Sequence, residues 1–258
     1  MTRVLHLLDL AWRTFATGIC FAAFGLGQLV LGWSVFPLIL LLISDPLKRR
    51  RLGKRVIHLA FKAHILLMRV TRVLDVKLVN LERLDRPGLL VLANHPTLID
   101  AVFLISFLEQ ADCVIKSSLF ENPYIRFAAR GAGYIPSVED PLAVVEACRT
   151  SFEEGNSLLV FPEATRSQPR SVPNLRRGAA QIAIRTGRDV TLVIIRVSEH
   201  NLGKDSQWWK VPPNRVSFVF EVKEDLPIKP YLDPTKEPAL AARELTDLLA
   251  ETIKRETA

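Results

Sequence analysis

Two clusters of reactive side chains stand out along the 258 residues. The first is Asn94-His95-Pro96-Thr97-Leu98-Ile99-Asp100. It follows the apolar run 88–93, of the kind that forms a buried strand. Pro96 suits the first helical position, so the sequence predicts strand, tight turn and helix, with Asn94 or His95 as the cap. On an ideal helix, residues five apart point about 140° away from each other. His95 therefore meets Asp100 only if it precedes the helix and its ring folds back. Such a pair is a general base, because the carboxylate fixes the imidazole tautomer and stabilises the imidazolium that forms. The plainer alternative is a capping histidine.

The second cluster is Phe161-Pro162-Glu163-Ala164-Thr165-Arg166-Ser167, again after an apolar run that reads as a strand. Arg166 offers the planar donor fork that suits phosphate or carboxylate. Glu163 can orient that arginine or accept from a hydroxyl. Alone, this cluster reads equally as a surface turn with a local ion pair.

Taken together, the clusters resemble the glycerolipid acyltransferases, the lysophospholipid or 1-acylglycerol-3-phosphate acyltransferase family. Asn94-His95, four residues and Asp100 match that family's first motif. Glu163-Ala164-Thr165-Arg166-Ser167 matches its third, usually Glu-Gly-Thr-Arg-Ser. The likeness covers about residues 75–225. It implies an acyl-CoA or acyl-carrier-protein donor, a lipid hydroxyl as acceptor and no cofactor. His95 is then the base and Asp100 its partner. Asn94, Lys116, Glu163, Thr165, Arg166 and Arg176 are the implied substrate-binding residues. Thr165, Asn94 or a backbone N–H near Pro96 would face the oxyanion. The second motif departs from the pattern. Lys116-Ser-Ser-Leu119, Pro123 and Gly131-Ala-Gly133 are in place, but Tyr134-Ile135-Pro136-Ser137 lacks the expected arginine. Lys116, Arg126, Arg130 or Arg176 would have to substitute, or the acceptor is not a glycerol phosphate. The wording is most similar to bacterial acyltransferases found with aryl-polyene-type pathways.

Several rival chemistries are open on residue types alone. Cys113 or Cys148 could serve a Cys–His mechanism. A metal hydrolase would want a second histidine beside His95, and His200 reads as a loop residue, so no metal site is expected. The three scattered cysteines suit neither a disulfide framework nor a zinc site and fit a reducing compartment. A non-catalytic lipid-binding protein is the rival from another class.

The elements that must position these groups follow from hydrophobic pattern. Beyond residue 76, β-rich runs at 89–93, 114–116, 157–161, 190–197 and 216–222 alternate with helical stretches at 141–154, 177–186 and from 237 onward. That alternation implies an α/β domain with ligand sites at strand ends. The resemblance adds a mixed sheet flanked by helices. The Gly25–Gly32 stretch GLGQLVLG follows no strand, so it is not a dinucleotide loop.

Upstream, no charge occurs from Thr14 to Ser44. As one helix this run spans about 46 Å against about 30 Å of bilayer hydrocarbon. It reads as a single tilted or kinked span, or as a re-entrant pair bent near Gly25, Gly27 and Gly32 with Pro37 breaking the second half. The basic cluster 48–55 follows, which places later residues on the cytoplasmic face of a bacterial-type inner membrane. Residues 1–77 hold twelve Lys/Arg and three acids, the remainder 22 and 24. The basic excess thus adjoins the apolar run and favours anionic lipid over nucleic acid. Residues 55–74 suit either an interfacial helix or one packed on the catalytic domain. Trp208, Trp209, Lys204 and Lys210 offer a second membrane contact or an exposed strand edge. The expected division is a membrane-anchoring segment, 1–75, and an α/β acyltransferase domain, 76–258.

Overall fold

The structure, a computed structural model, describes residues 2–122, 125–163, 166, 174–199, 207, 209–233, 235 and 237–257. Among these, seven strands form one mixed sheet. They are β1 (Leu74–Val79), β2 (Leu90–Ala93), β3 (Ala111–Lys116), β4 (Ile135–Ser137), β5 (Ser157–Val160), β6 (Val190–Val197) and β7 (Val216–Val222). Their order is β1-β7-β6-β2-β5-β3-β4. Only β6 and β7 pair antiparallel. The strands β6, β2, β5, β3 and β4 are parallel and end at one edge, the edge where α/β sheets place their sites.

Period-2 alternation splits the core. Val91, Leu159, Val193 and Ile195 face one apolar cluster, whereas Leu90, Leu92, Leu158 and Ile194 face the other. Helices α6 (Pro141–Glu153), α7 (Gly178–Thr186) and α8 (Pro238–Thr257) cover the second face. Helices α3 (Pro46–Val70), α4 (Asp100–Phe107) and α5 (Arg126–Ala132) cover the first. The expected strands and helices are present, with β1 and β4 in addition. Both extra strands lie at the sheet's edges, where half-exposed side chains blur the apolar pattern.

The apolar N-terminal run is helical from Thr2 to Leu42, as α1 (Thr2–Val30), a π-helical turn (Leu31–Val35) and α2 (Phe36–Leu42). The helix runs unbroken through Gly25 and Gly27, against the re-entrant alternative, and it continues past Pro37 to Leu42 although the proline supplies no N–H. The buried stripe Cys20, Leu31, Phe36 and Ile39 explains the π turn. Its Leu31-to-Phe36 step is five residues, and one i→i+5 turn keeps both on the same face. That face meets α5 through a reciprocal pair. The Phe127 ring lies over Gly32, and the Phe36 ring lies over Gly131. A Cβ at either glycine would overlap a ring. We expect Gly131→Leu to destabilise the fold by about 1–3 kcal/mol through overpacking, read as a lowered denaturant midpoint. An unchanged midpoint would refute the close packing.

Helix α3 is packed on the catalytic domain, with Ile57, Phe61, Ile65 and Met68 buried in the shared core. Of the two readings of residues 55–74, the packed one holds, and several basic residues of α3 are committed within the chain. Lys54 is buried and lies 2.9 Å from an Asp112 oxygen. Ser151 and Asn156 also donate to Asp112. Arg50 pairs with Glu154, and Arg55 with Glu109 at 3.5 Å. A buried carboxylate demands such partners, and they come from residues that sequence spacing does not connect.

Candidate active site

β2 ends at Ala93, and the chain leaves the sheet through Asn94. The Asn94 carboxamide is fully buried and bridges to the next strand. Its Nδ2 donates to Ile195 O at 2.8 Å, and its Oδ1 accepts from Ile195 N at 2.7 Å. This extends the β2–β6 ladder by a side chain and fixes where His95 begins.

The helix does not start at Pro96. It begins at Asp100, with Phe103 N donating to Ile99 O at 3.0 Å as the first helical bond. Residues 96–99 instead wrap around the Asp100 carboxylate. Thr97 N donates to Asp100 Oδ2 at 2.6 Å, and Thr97 Oγ1 donates to Oδ1 at 2.5 Å. Local bonding of this kind competes with helix and wins here. His95 Nδ1 lies 2.9 Å from the same Oδ2. The pair is thus joined by a turn closed on the carboxylate, not by helical geometry. Thr97 escaped the sequence reading. The available signal was a threonine three residues before the aspartate, a spacing that permits such a turn.

Asp100 is completely buried, while the His95 side chain is 20% exposed. Burial pushes the Asp100 carboxyl above its ordinary value, opposed by hydrogen bonds from His95 and Thr97. With Nδ1 donating to Asp100, the other ring nitrogen, Nε2, is the one left to take a proton. The ring stacks on Phe161, centroids 4.2 Å apart and 24° between planes. That contact limits the ring's rotation.

The second cluster arrives on β5, the neighbour of β2. Glu163 is buried, and its Oε1 accepts from His95 N at 3.1 Å. Glu163 therefore holds the backbone of the histidine itself. Arg166 is half-buried just beyond. Thr165 lies outside the described residues, as do Ala164, Ser167, Pro123, His200, Lys204 and Trp208. Arg176 is exposed, and its N–H donates to Pro162 O at 2.7 Å, which sets it beside the Glu163 turn. Lys116 ends β3 on the same sheet edge, also exposed. Arg126 lies against the Phe127 ring at 4.7 Å, and Arg130 pairs with Glu121.

The cysteine alternative fails on environment. Burial pushes the Cys113 and Cys148 thiols up to about 12, which leaves almost no thiolate near neutrality. Both are buried in the core rather than at the sheet edge. Among the described residues, no group of three or more His, Cys, Asp or Glu is placed to hold a metal ion.

Comparison with known proteins fits this geometry. The family described as Acyltransferase matches residues 75–198. The chain is 31% identical over 112 residues to a chloroplastic 1-acyl-sn-glycerol-3-phosphate acyltransferase, LPAT1, of Arabidopsis thaliana, covering 42% of this chain and 31% of that protein. It is 31% identical over 98 residues to the 1-acyl-sn-glycerol-3-phosphate acyltransferase of Helicobacter pylori, covering 35% and 41%. The chain thus spans about a third to two fifths of the length of these curated relatives. In three dimensions it is similar to the crystal structure of the 1-acyl-sn-glycerophosphate acyltransferase PlsC from Thermotoga maritima. The TM-score is 0.61 at 20% identity, over 98% of both chains, a likeness of fold. Residues 75–198, which contain both motifs and the His95–Asp100 pair, are thus the part of this chain that is similar to the acyltransferase family.

Proposed function

We propose that the protein transfers an acyl chain from a thioester, acyl-CoA or acyl-carrier protein, to the free hydroxyl of lysophosphatidic acid at a membrane surface. The observation that carries this is the His95–Asp100 pair, buried on the aspartate side and open on the histidine side. His95 Nε2 removes the acceptor's hydroxyl proton as the oxygen attacks the thioester carbonyl. Asp100 stabilises the imidazolium. The carbon–sulfur bond then breaks, and the imidazolium returns the proton to the leaving thiolate. No covalent enzyme intermediate is needed. Lys116, Arg166 and Arg176 stand on the same edge as cations for a substrate phosphate.

Membrane attachment is supported by α1 and α2. The helix Val4–Leu42 is long and apolar enough to cross a membrane, with only 17% of its most apolar window buried. Leu8, Phe15, Leu26, Trp33 and Leu41 are exposed. Both ends are tied to the domain, Arg13 to the carbonyls of Pro212, Pro213 and Asn214, and Gly32 and Phe36 to α5. A perpendicular crossing would drag the catalytic domain into hydrocarbon. We therefore place α1 and α2 along the membrane surface, outer face in lipid, with residues 1–75 as the attaching segment and 76–258 as the catalytic unit.

Lipid mass spectrometry after incubation with oleoyl-CoA or oleoyl-acyl-carrier protein tests the reaction, with lysophosphatidic acid and other lysolipids as acceptors. Phosphatidic acid is the expected product; thioester hydrolysis without transfer would refute it. The missing second-motif arginine favours one other reading, an acceptor without glycerol phosphate. The position continues as the buried Tyr134 and the short strand β4. The same acceptor panel separates the two. Arg166→Ala should raise a substrate KM about tenfold or more, the scale of a charge-assisted bond, with kcat nearly kept. A loss confined to kcat would contradict a binding role.

A further inference from the structure

Between α1 and α3, two polar side chains converge where an apolar helix pair gives them no partner. Gln28 is 3% exposed, and its Oε1 has no hydrogen-bond donor among the described residues. His64 of α3 shows ring contact with Phe24 but no hydrogen bond among the described residues. Both line one cavity of about 50 Å³ between α1 and α3, closed by Phe24, Leu31 and Phe61 and narrowed by no side chain at Gly27. Gly27 is exposed, between Leu26 and Leu29, which are also exposed. The notch therefore opens on the apolar outer flank of α1.

A buried acceptor without a donor is costly, and nearly all such groups in native proteins find a partner. What fits here must donate to Gln28 Oε1 and also exchange a hydrogen bond with an imidazole nitrogen. A hydroxyl does both. A phosphate group has no proton to give the amide oxygen in its dianionic form. The cavity exceeds the roughly 10–15 Å³ that one water needs in the same measure, and it has room for a carbinol carbon with its oxygen. The flank faces lipid in the attachment described above, where water is scarce and polar residues mark ligand paths.

We propose that the Gln28–His64 notch binds the free hydroxyl of a glycerolipid, holding a hydroxyl-bearing lipid against α1 outside the catalytic site. This rests on the membrane-attached reading of α1 but not on the acyl-transfer chemistry. A water molecule offers the same hydroxyl chemistry, and the test separates the two sources.

Purified full-length protein in detergent is titrated with dioleoylglycerol, which has one free hydroxyl, and with trioleoylglycerol, which has none. Bound lipid is counted by native mass spectrometry. Wild type should prefer dioleoylglycerol by about two- to tenfold, the range of one net hydrogen bond. Gln28→Leu should abolish the preference. Gly27→Val, whose added Cβ meets nothing within 4 Å, should also abolish it by filling the mouth, and it decides the matter if Gln28→Leu fails to fold. Equal binding of both lipids by wild type means the notch holds only water and overturns the site. A preference that survives in the folded variants places the lipid elsewhere and overturns it as well. Vesicle flotation of the same samples reports membrane attachment independently, and lipid mass spectrometry reports transfer.

Discussion

Replacing His95 with alanine should lower kcat by about 10²–10⁴-fold, the usual contribution of a positioned general base, with acceptor KM little changed. The reason lies in what the ring touches. Nδ1 is committed to Asp100 at 2.9 Å, one ring face is covered by Phe161, and the side chain keeps 20% exposure. The imidazole thus has one free function, to take a proton from the open side. Its backbone N–H, not its ring, is bound by Glu163, so the alanine variant keeps the Glu163 contact and the turn. Membrane flotation and the thermal midpoint should match wild type. Steady-state kinetics with oleoyl-CoA and lysophosphatidic acid reads the effect. Full activity in a folded His95→Ala protein would sink the mechanism.

Asp100→Asn should cost on the order of 10²-fold or more in kcat, though no more than His95→Ala. Asparagine can keep the geometry. Its oxygen can accept from Thr97 N and His95 Nδ1, and its nitrogen can donate to Thr97 Oγ1. What it removes is the charge that stabilises the imidazolium. The double variant should be no slower than His95→Ala alone, because the two residues act as a unit. Additive losses would separate their roles.

Stability should move the other way. Burial raises the Asp100 carboxyl pKa in the native state, so the folded protein holds that proton more tightly than the unfolded chain. The stabilisation this gives is fully present below the unfolded value of about 3.9. It is lost as pH rises through the native value. At neutral pH the buried carboxylate therefore disfavours folding, even with its donors. Asp100→Asn should be as stable as wild type or more so at pH 7, and its stability should change less between about pH 4 and neutrality. Denaturant melts at several pH values check this. A variant markedly less stable at pH 7 would show the carboxylate to be a net stabilising group. In the wild type the acid limb of kcat/KM should lie above the ordinary carboxyl range, since protonating Asp100 removes the charge that His95 uses.

Much of this was legible in the residues themselves. Apolar runs of β-rich composition marked strands β2, β3, β5, β6 and β7, and their alternation with helices marked the α/β class, because periodicity records which faces are buried. The two motifs identified the strand ends that carry the site, since Asn94–Asp100 and Glu163–Arg166 follow directly from β2 and β5. The long uncharged run marked the apolar helix that the structure leaves largely exposed, because the absence of charge records a face that is not water-adapted.

Tertiary structure decided the rest, and each case involves partners distant in the chain or a local bond that outcompetes a propensity. Pro96 favours a helix start, yet the Asp100 carboxylate draws Thr97 and His95 into a turn, so the helix waits until Asp100. Glu163 follows β5 in the sequence, and only parallel pairing of β2 with β5 brings it to the His95 backbone, 68 residues earlier. Lys54 read as one of a basic cluster flanking the apolar run, but burial of α3 turns it onto Asp112, 58 residues on. Gly32 read as a bend and Gly131 as part of the second motif, yet they are where two phenyl rings need room. Sequence determines which segments are buried and which residues can do chemistry. The contacts that give each residue its role depend on the packing of elements whose separation along the chain carries no local signal.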